Sequence, residues 1–394
     1  MQEKKIQVLT INCGSSSIKF SLYQYDKNLL LQLSGKLEKI GTGDTRFEYQ
    51  EKGSSPVKKA LAVKDMPAAA VFFSNWFEKN TGFEHIECIG HRIVHGMKHT
   101  SPQVINQEIL DEFKQITVFD PDHMPGAIAM IEEIREKYPH LQQVACFDTA
   151  FHAGLPRVAN MFAIPRRFEK DGIRRYGFHG LSYQYLLDKL VVATGEKILK
   201  ERVVLAHLGS GSSMAAVKNG KCIDTTMGFT PTGGFMMGTR SGDIDPGIIS
   251  YLLRKYKYTA NELDSIMNHE SGLLGVSATS SDMQELLNKE PTDTHAAEAI
   301  ALFCYQAKKN LCALTGILGG IDTLVFTGGI GENAAAVRLR ICEGLKHLGI
   351  ELDAVKNRKN AKIISRPRQP VKIYIIPANE EYMIARLTIA LQDH

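Results

Sequence analysis

Apolar and polar positions alternate from the start of the chain. Ile6 to Ile11 reads as a strand, Cys13-Gly14-Ser15-Ser16-Ser17 as a turn, and Ile18 to Tyr23 as a second strand. In the second run Ile18, Phe20 and Leu22 share one face while Lys19 and Ser21 share the other, the period of a half-buried strand. Further strand-like runs follow at Leu29 to Leu33 and Arg46 to Tyr49. Ala68 to Lys79, carrying Phe72, Phe73, Trp76 and Phe77, predicts a buried amphipathic helix.

The pattern then restarts. Arg202 to Leu208 predicts a strand, Gly209-Ser210-Gly211-Ser212-Ser213 a turn, and Met214 to Val217 a strand. Asn219-Gly220 predicts a type I′ hairpin into Cys222 to Asp224. Without gaps, Val8-Leu9 matches Val204-Leu205 and Ser16-Ser17 matches Ser212-Ser213, an offset of 196 positions that suggests two related halves. Later come a strand at Asp322 to Thr327, the turn Gly328 to Asn333, and a helical stretch from Ala334 to Leu348. Strands alternating with helices predict an α/β protein, with a ligand expected in the cleft between its halves.

Length and composition narrow the picture. A chain of 394 residues is too long for one ordinary core, so two domains are expected. With 44% hydrophobic and 23% charged residues it has the profile of a globular protein. A net charge of +4 without a long Lys/Arg run does not suggest a nucleic-acid partner. The N-terminal apolar run is too short for a signal-peptide core or membrane span, so a cytoplasmic protein is expected. Its 7 cysteines include no CxxC pair; a zinc site or disulfide framework is not indicated, and most are expected to be buried and reduced.

Three Gly/Ser-rich turns follow apolar strands, at 13–17, 209–213 and 328–333. Glycine admits close backbone approach, and successive N–H groups can converge on phosphate oxygens; each turn could equally be a plain connection. No GxxxxGK[ST] occurs, so this is not a P-loop NTPase. Arg92 and Arg240 are isolated cations beside glycine, suited to a carboxylate or phosphate contact or to a surface ion pair. His179 sits between Phe178 and Gly180, before a helix that Ser182 could cap, as a site or a structural histidine. Asp148, after the strand Val144 to Phe147, could orient a guanidinium, hold a metal-bound water, or serve a turn. HExxH and tight Cys/His sets are absent, GxSxG opens no strand-to-helix elbow, and the Gly/Ser turn at 209–213 is followed by a strand rather than a helix.

Together these motifs resemble the acetate kinase family of the actin, sugar kinase and Hsp70 superfold. The similar segments run from Asn12-Cys13-Gly14-Ser15-Ser16-Ser17-Ile18-Lys19 through Gly90 to Gly96, Phe147 to His152 and Tyr176 to Gly180. They continue with His207 to Gly211, Met227 to Pro246, Phe326 to Asn333, and Ile376 to Glu381. The run MMGTRSGDIDP, Met236 to Pro246, is the most specific. The resemblance implies two duplicated actin-like (ribonuclease H-like) domains with a nucleotide cleft between them. The first spans 1–150, with a C-terminal helix at 382–394 packing back on it; the second spans 151–381 and would carry the nucleotide and a homodimer interface. The implied reaction is direct, in-line transfer of a phosphoryl group from ATP to a short-chain carboxylate, acetate or propionate, giving an acyl phosphate and ADP. A paralogue acting on another small acid and a non-catalytic nucleotide sensor are the alternatives.

The resemblance also implies residue roles. Asn12 and Glu380 would help hold Mg2+ or Mn2+, and Ser15, Ser17 and Lys19 would approach the phosphates. Arg92 and Arg240 would grip the carboxylate and the transferring group, and His179 would donate to that group with His123 nearby. Asp148 would orient Arg240 or a metal-bound water. His207, Leu208, Gly209, Ser210 and Gly211 would contact the phosphate tail. Asp282, Met283 and Gln284, with Gly329, Ile330, Gly331, Glu332 and Asn333, would hold adenosine. Val94, Phe178 and Pro231 would line the acyl pocket. There Asp122 stands where the family usually has leucine, which would admit a polar group. Leu181 and Tyr183 replace the usual Thr and His, Ser210 replaces asparagine, and Gln284 replaces arginine.

Overall fold

The computed structural model describes residues 6–392. Two compact units form: one from the chain up to Ala150 together with the segment from Asn379 onward, the other from Phe151–Ala378.

The first unit is built on β1 (Ile6–Cys13), β2 (Ile18–Tyr25), β3 (Leu29–Glu38), β4 (Thr45–Glu51), β5 (Val57–Leu61), β6 (Cys88–Ile93), β7 (Gln103–Val104) and β8 (Gln142–Phe147). They form one sheet in the order β5-β4-β3-β2-β1-β6-β8-β7. β1 pairs antiparallel with β2, while β6 joins β1 and β8 joins β6 in parallel. One face packs on helices Met66–Asn80 and Met124–Lys137 through Phe20, Phe47, Phe73 and Phe77. Asp65 caps the first of these helices by accepting from Ala68 N, and Pro67 sits in its first turn, where a missing N–H costs nothing.

The other face of β1, β2 and β6 is covered by helix Glu380–Ala390, the last in the chain. This explains a departure from the predicted alternation: Ser21 and Tyr23 are buried as well as Phe20 and Leu22. The expected terminal helix therefore begins at Glu380 and ends at Ala390, and residues 393–394 lie outside the described residues.

The second unit has β9 (Arg202–Leu208), β10 (Ser212–Lys218), β11 (Lys221–Thr225), β12 (Thr323–Thr327) and β13 (Lys372–Ile375), in the order β11-β10-β9-β12-β13. Its pairings repeat those of β3-β2-β1-β6-β8: two antiparallel, then two parallel. Asn219 and Gly220 both have positive φ, as the type I′ turn requires. The 25-residue helix Thr294–Leu318 covers the sheet, capped by Asp293 and stopped by left-handed Gly319.

Two local expectations fail. Ser212 and Ser213 are not turn residues but the buried start of β10, paired with Leu208 and His207. The first hairpin closes Cys13 onto Ile18, the second closes Leu208 onto Ser212, one residue tighter, so the gapless match does not survive the turn. Gly328–Asn333 is itself helical, and the following helix spans only Ala335–Cys342, ending before left-handed Gly344.

Candidate active site

In the first unit, functional side chains gather at the carboxyl ends of the parallel strands, where ligands of open α/β sheets bind. Asn12 and Arg92 lie one residue before the ends of β1 and β6, and Asp148 follows β8, its N–H donating to Ile93 O. Asn379 caps the last helix by accepting from Tyr382 N, which brings Glu380 and Glu381 to the same edge. Arg92 donates through Nε and Nη2 to Asp148 Oδ2 at 2.9 and 2.6 Å, and through Nη1 to Asn12 Oδ1 at 3.0 Å. Asn12 Nδ2 donates to Glu380 Oε2 and Glu381 Oε1 at 3.1 and 3.3 Å. Burial works against the Arg92 charge, but Asp148 and Glu380 outweigh it and hold the guanidinium firmly protonated.

Asp148 is fully buried and its Oδ2 is engaged by Arg92. Three of the five N–H donors of Arg92 are occupied within the protein, so at most two remain for a substrate. Among the described residues no group of three His, Cys, Asp or Glu side chains is placed to hold a metal. The edge instead offers Glu380, Glu381 and the Asn12 amide. Such a donor set fits an ion that keeps much of its water shell and leans on substrate phosphates, as Mg2+ does, not an all-protein cage.

His123 Nδ1 meets Asp120 Oδ1 at 2.7 Å at the start of helix Met124–Lys137. Asp122, half-buried, occupies the turn just before it, and Val94 is buried after β6. Ser15 and Lys19 are exposed and Ser17 half-buried around the first hairpin turn. Cys13 is buried beside them, and burial pushes its thiol up to about 12, so it is no nucleophile.

In the second unit, His179 is the residue before helix Gly180–Thr194 and has left-handed backbone (φ 59°). A non-glycine residue there costs about 1–2 kcal/mol and must be held by its surroundings. His152 does much of this: its Nε2 donates to Phe178 O at 2.9 Å, and its ring packs so closely on left-handed Gly177 that a Cβ would lie 2.6 Å away. Ser182 is not the helix cap the sequence suggested; its hydroxyl meets His207 Nδ1 at 2.9 Å. The His207 and His179 rings stack 4.3 Å apart, and His179 Nδ1 meets Ser213 Oγ at 2.8 Å.

Arg240 reaches the same place from the Met236 to Pro246 run. Gly234 and Asp243 clasp each other, Gly234 N donating to Asp243 Oδ1 and Asp243 N to Gly234 O. Met236 and Met237 anchor the loop in the interior. Left-handed Gly272 lets the next segment approach so closely that a Cβ would lie 2.8 Å from Arg240 O. Arg240 Nη1 then donates to Pro231 O at 3.3 Å. A Cβ placed on Gly211 would lie 3.3 Å from His179 Nε2 and 3.6 Å from Arg240 Nη1. Two donors, one of them cationic, thus face one bare stretch of backbone, an arrangement suited to a phosphoryl group.

The remaining expected ligands divide. Gly209 to Gly211 form the β9–β10 turn, with Ser212 Oγ bonded to Gly209. Gly328, left-handed, brings the helix Gly328–Asn333 against β9, where a Cβ would lie 2.6 Å from Leu208 O. Gly329 and Asn333 are exposed and Ile330 half-buried there. Glu332 is instead a structural tie: its Oε1 accepts from Gly328 N and Ala378 N, both at 2.9 Å. Met283 points into the core, Asp282 caps helix Met283–Lys289, and Gln284 is exposed and donates to Asn288. The sequence reading missed the hydrogen bond of Ser213 to His179 and the tie of Glu381 to Asn12. Tyr183, noted only as a replacement, lies four residues from His179, one helical turn on.

Comparison with known proteins accords with this arrangement. The chain is 41% identical to an acetate kinase of Rhodopseudomonas palustris, over 98% of both chains. It is 38% identical to an acetate kinase of Treponema denticola, over 98% of this chain and all of the relative. Its fold is similar to the crystal structure of a propionate kinase from Francisella tularensis, with TM-score 0.90, 35% identity and 98% and 99% of the two chains covered. It is also similar to that of Porphyromonas gingivalis acetate kinase, with TM-score 0.87, 34% identity and 98% and 100% covered. The two repeated sheets are accordingly the two actin-like domains of these kinases. Residues 7–386 match the model of the acetokinase family, and the chain belongs to that family.

Proposed function

We propose that the protein is an ATP-dependent carboxylate kinase, transferring the γ-phosphoryl group of ATP to acetate or propionate and giving an acyl phosphate and ADP. The family match across residues 7–386 carries the reading, and the named relatives act on these two acids. The chemistry of the site agrees. A carboxylate is already a nucleophile near neutral pH, so one of its oxygens forms the new bond to phosphorus while the bridging bond to ADP breaks. No proton has to be removed, and the reaction is reversible. Catalysis then rests on positioning and charge neutralisation.

In this reading His179 Nε2 and Arg240 Nη1 bind the transferring group, supported by their shared approach to Gly211. The His207 to Gly211 turn follows the phosphate tail, and the exposed start of helix Gly328–Asn333 receives the nucleoside. Asn12 and Glu380 would hold Mg2+, which neutralises phosphate charge when bound. Arg92 braces that edge through Asp148 and presents its remaining N–H groups to the carboxylate. Val94, Phe178 and Pro231 serve the acyl chain. Asp122, half-buried beside His123, favours a second reading in which a hydroxy acid is preferred.

Among the described residues no helix is long and apolar enough to cross a membrane. A cytoplasmic setting suits the chemistry of ATP and small acids, and neither nucleic acid nor membrane is needed as a partner. The protein acts as a homodimer through its second unit. Helix Pro246–Tyr256 supports this: none of its residues is buried, and Ile248, Tyr251 and Tyr256 are 46, 54 and 56% exposed along one side. Sedimentation should give a dimer that Tyr251→Asp converts to monomer; a monomeric parent protein would overturn the assignment.

The test of the activity is hydroxylamine trapping of acyl phosphate, with ATP and Mg2+, on acetate, propionate, butyrate and a hydroxy acid. Hydroxamate from acetate or propionate is expected. Hydroxamate from the hydroxy acid alone, shifting toward acetate in Asp122→Leu, would favour the second reading. Silence on every acid while ATP still binds would overturn both.

A further inference from the structure

We infer that Tyr183, acting through Ser213, fixes His179 in the neutral tautomer that carries its proton on Nε2. Three fully or nearly buried side chains form a line: Tyr183 OH meets Ser213 Oγ in a short hydrogen bond, and Ser213 Oγ meets His179 Nδ1 at 2.8 Å. A phenol is a stronger acid than an aliphatic hydroxyl, so Tyr183 is the donor and Ser213 the acceptor in the first bond. The serine proton then points to the other side, at Nδ1 of His179. A nitrogen that accepts cannot also carry a proton, so in the neutral ring the proton sits on Nε2.

Nε2 is the atom that faces Gly211 beside Arg240 Nη1. With the proton there, the ring presents a donor to an anionic oxygen. With the proton on Nδ1 it would present a lone pair to the same oxygen and repel it. Two further side chains crowd the ring. Arg240 lies beside it, and His207 stacks on it at 4.3 Å with its own Nδ1 engaged by Ser182. The far end of the line is also built in. Tyr183 lies in helix Gly180–Thr194 with no exposed surface, against the His152 and Phe151 rings at 5.7 and 5.8 Å. His152 is the same side chain that holds Phe178 O, so one buried histidine supports both the backbone and the hydrogen-bond line of His179.

Tyr183 and Ser213 are therefore positioning residues, and the inference rests on the reading of His179 as a donor to the transferring group. The experiment combines nitrogen-15 NMR of the full chain labelled at histidine with kinetics of hydroxamate formation. The His179 resonances are identified by their absence in His179→Gln. The parent protein should show His179 protonated at Nε2. Tyr183→Phe should give a tautomer mixture and lower kcat roughly 2- to 12-fold, the scale of one net hydrogen bond, with carboxylate KM unchanged. Ser213→Ala should do the same, and adding Tyr183→Phe to it should change nothing further. Protonation at Nδ1 in the parent, or losses that simply multiply in the double variant, would overturn the inference. Full turnover in His179→Ala, which has no side-chain donor, would instead overturn the donor reading, whatever the NMR shows of the tautomer.

Discussion

Gly211 shows how much a single missing side chain can matter. Its Cα faces His179 Nε2 and Arg240 Nη1, and a methyl group there would sit 3.3 and 3.6 Å from them. Those separations demand only small adjustments, and the glycine has no left-handed backbone to lose. Gly211→Ala should therefore fold with a melting temperature near that of the parent, yet lose most turnover if the methyl occupies the space proposed for a phosphoryl oxygen. A variant with normal kcat would remove Gly211 from the site. Asp148 is the opposite case, a residue whose removal leaves a charge behind. Its carboxylate takes two N–H groups of a buried guanidinium. Asp148→Ala should cost about 3–5 kcal/mol, the penalty of an uncompensated buried ion, read as a fall in the urea midpoint. Asp148→Asn keeps an acceptor and should cost less; equal losses would show that the ion pair is not what holds this edge together.

At the scale of elements, the last helix is the joint of the first unit. Gly90 in β6 lets it approach so closely that a Cβ would lie 2.2 Å from Thr388 Oγ1 and 2.6 Å from Ile384 Cγ2. Gly90→Ala should destabilise by about 1–3 kcal/mol through overpacking. Adding Thr388→Ala removes the nearer clash and should restore part of the loss, whereas Thr388→Ala alone only leaves a small void. Because the same helix carries Glu380 and Glu381 to Asn12, Gly90→Ala should also weaken turnover. Unchanged stability in Gly90→Ala would mean that this contact gives way freely. The turns obey a similar logic: the second hairpin is one residue tighter than the first, and this carries Ser213 into β10 within reach of His179.

Over the whole molecule, each unit holds a buried neutral histidine. Burial pushes His91 in the first unit and His152 in the second down to about 4 from an ordinary 6.5. The unfolded chain binds these protons near pH 6.5, and the folded chain does not until about pH 4. Their contribution is therefore complete above pH 6.5 and is lost as pH falls toward 4. Within that window each histidine removes about 1.4 kcal/mol of stability per pH unit. Denaturation midpoints measured between pH 7 and 4 should fall steadily; a flat profile would mean that the two rings protonate inside the fold.

Short-range signals in the sequence were enough for the class of fold and the repeat, and they nominated the candidate site residues. Period-two alternation placed β1, β2 and β9, Asn219-Gly220 set a hairpin, and glycine beside Arg240 and His179 marked close approaches. Family likeness then ordered those motifs into a carboxylate kinase. Which partners each residue took could not be read locally, because those partners lie far along the chain. Asp148 is 56 residues from Arg92, and Asn12 is 368 from Glu380. Glu332 looked like a ligand in a glycine-rich turn but closes two backbone N–H groups, and Met283 fills the core. Ser21 fell on the polar face because nothing local announces that a helix from the end of the chain returns to cover it and Tyr23. Periodicity reports which face of a strand is apolar; what packs on the other face is set by long-range burial and hydrogen bonding.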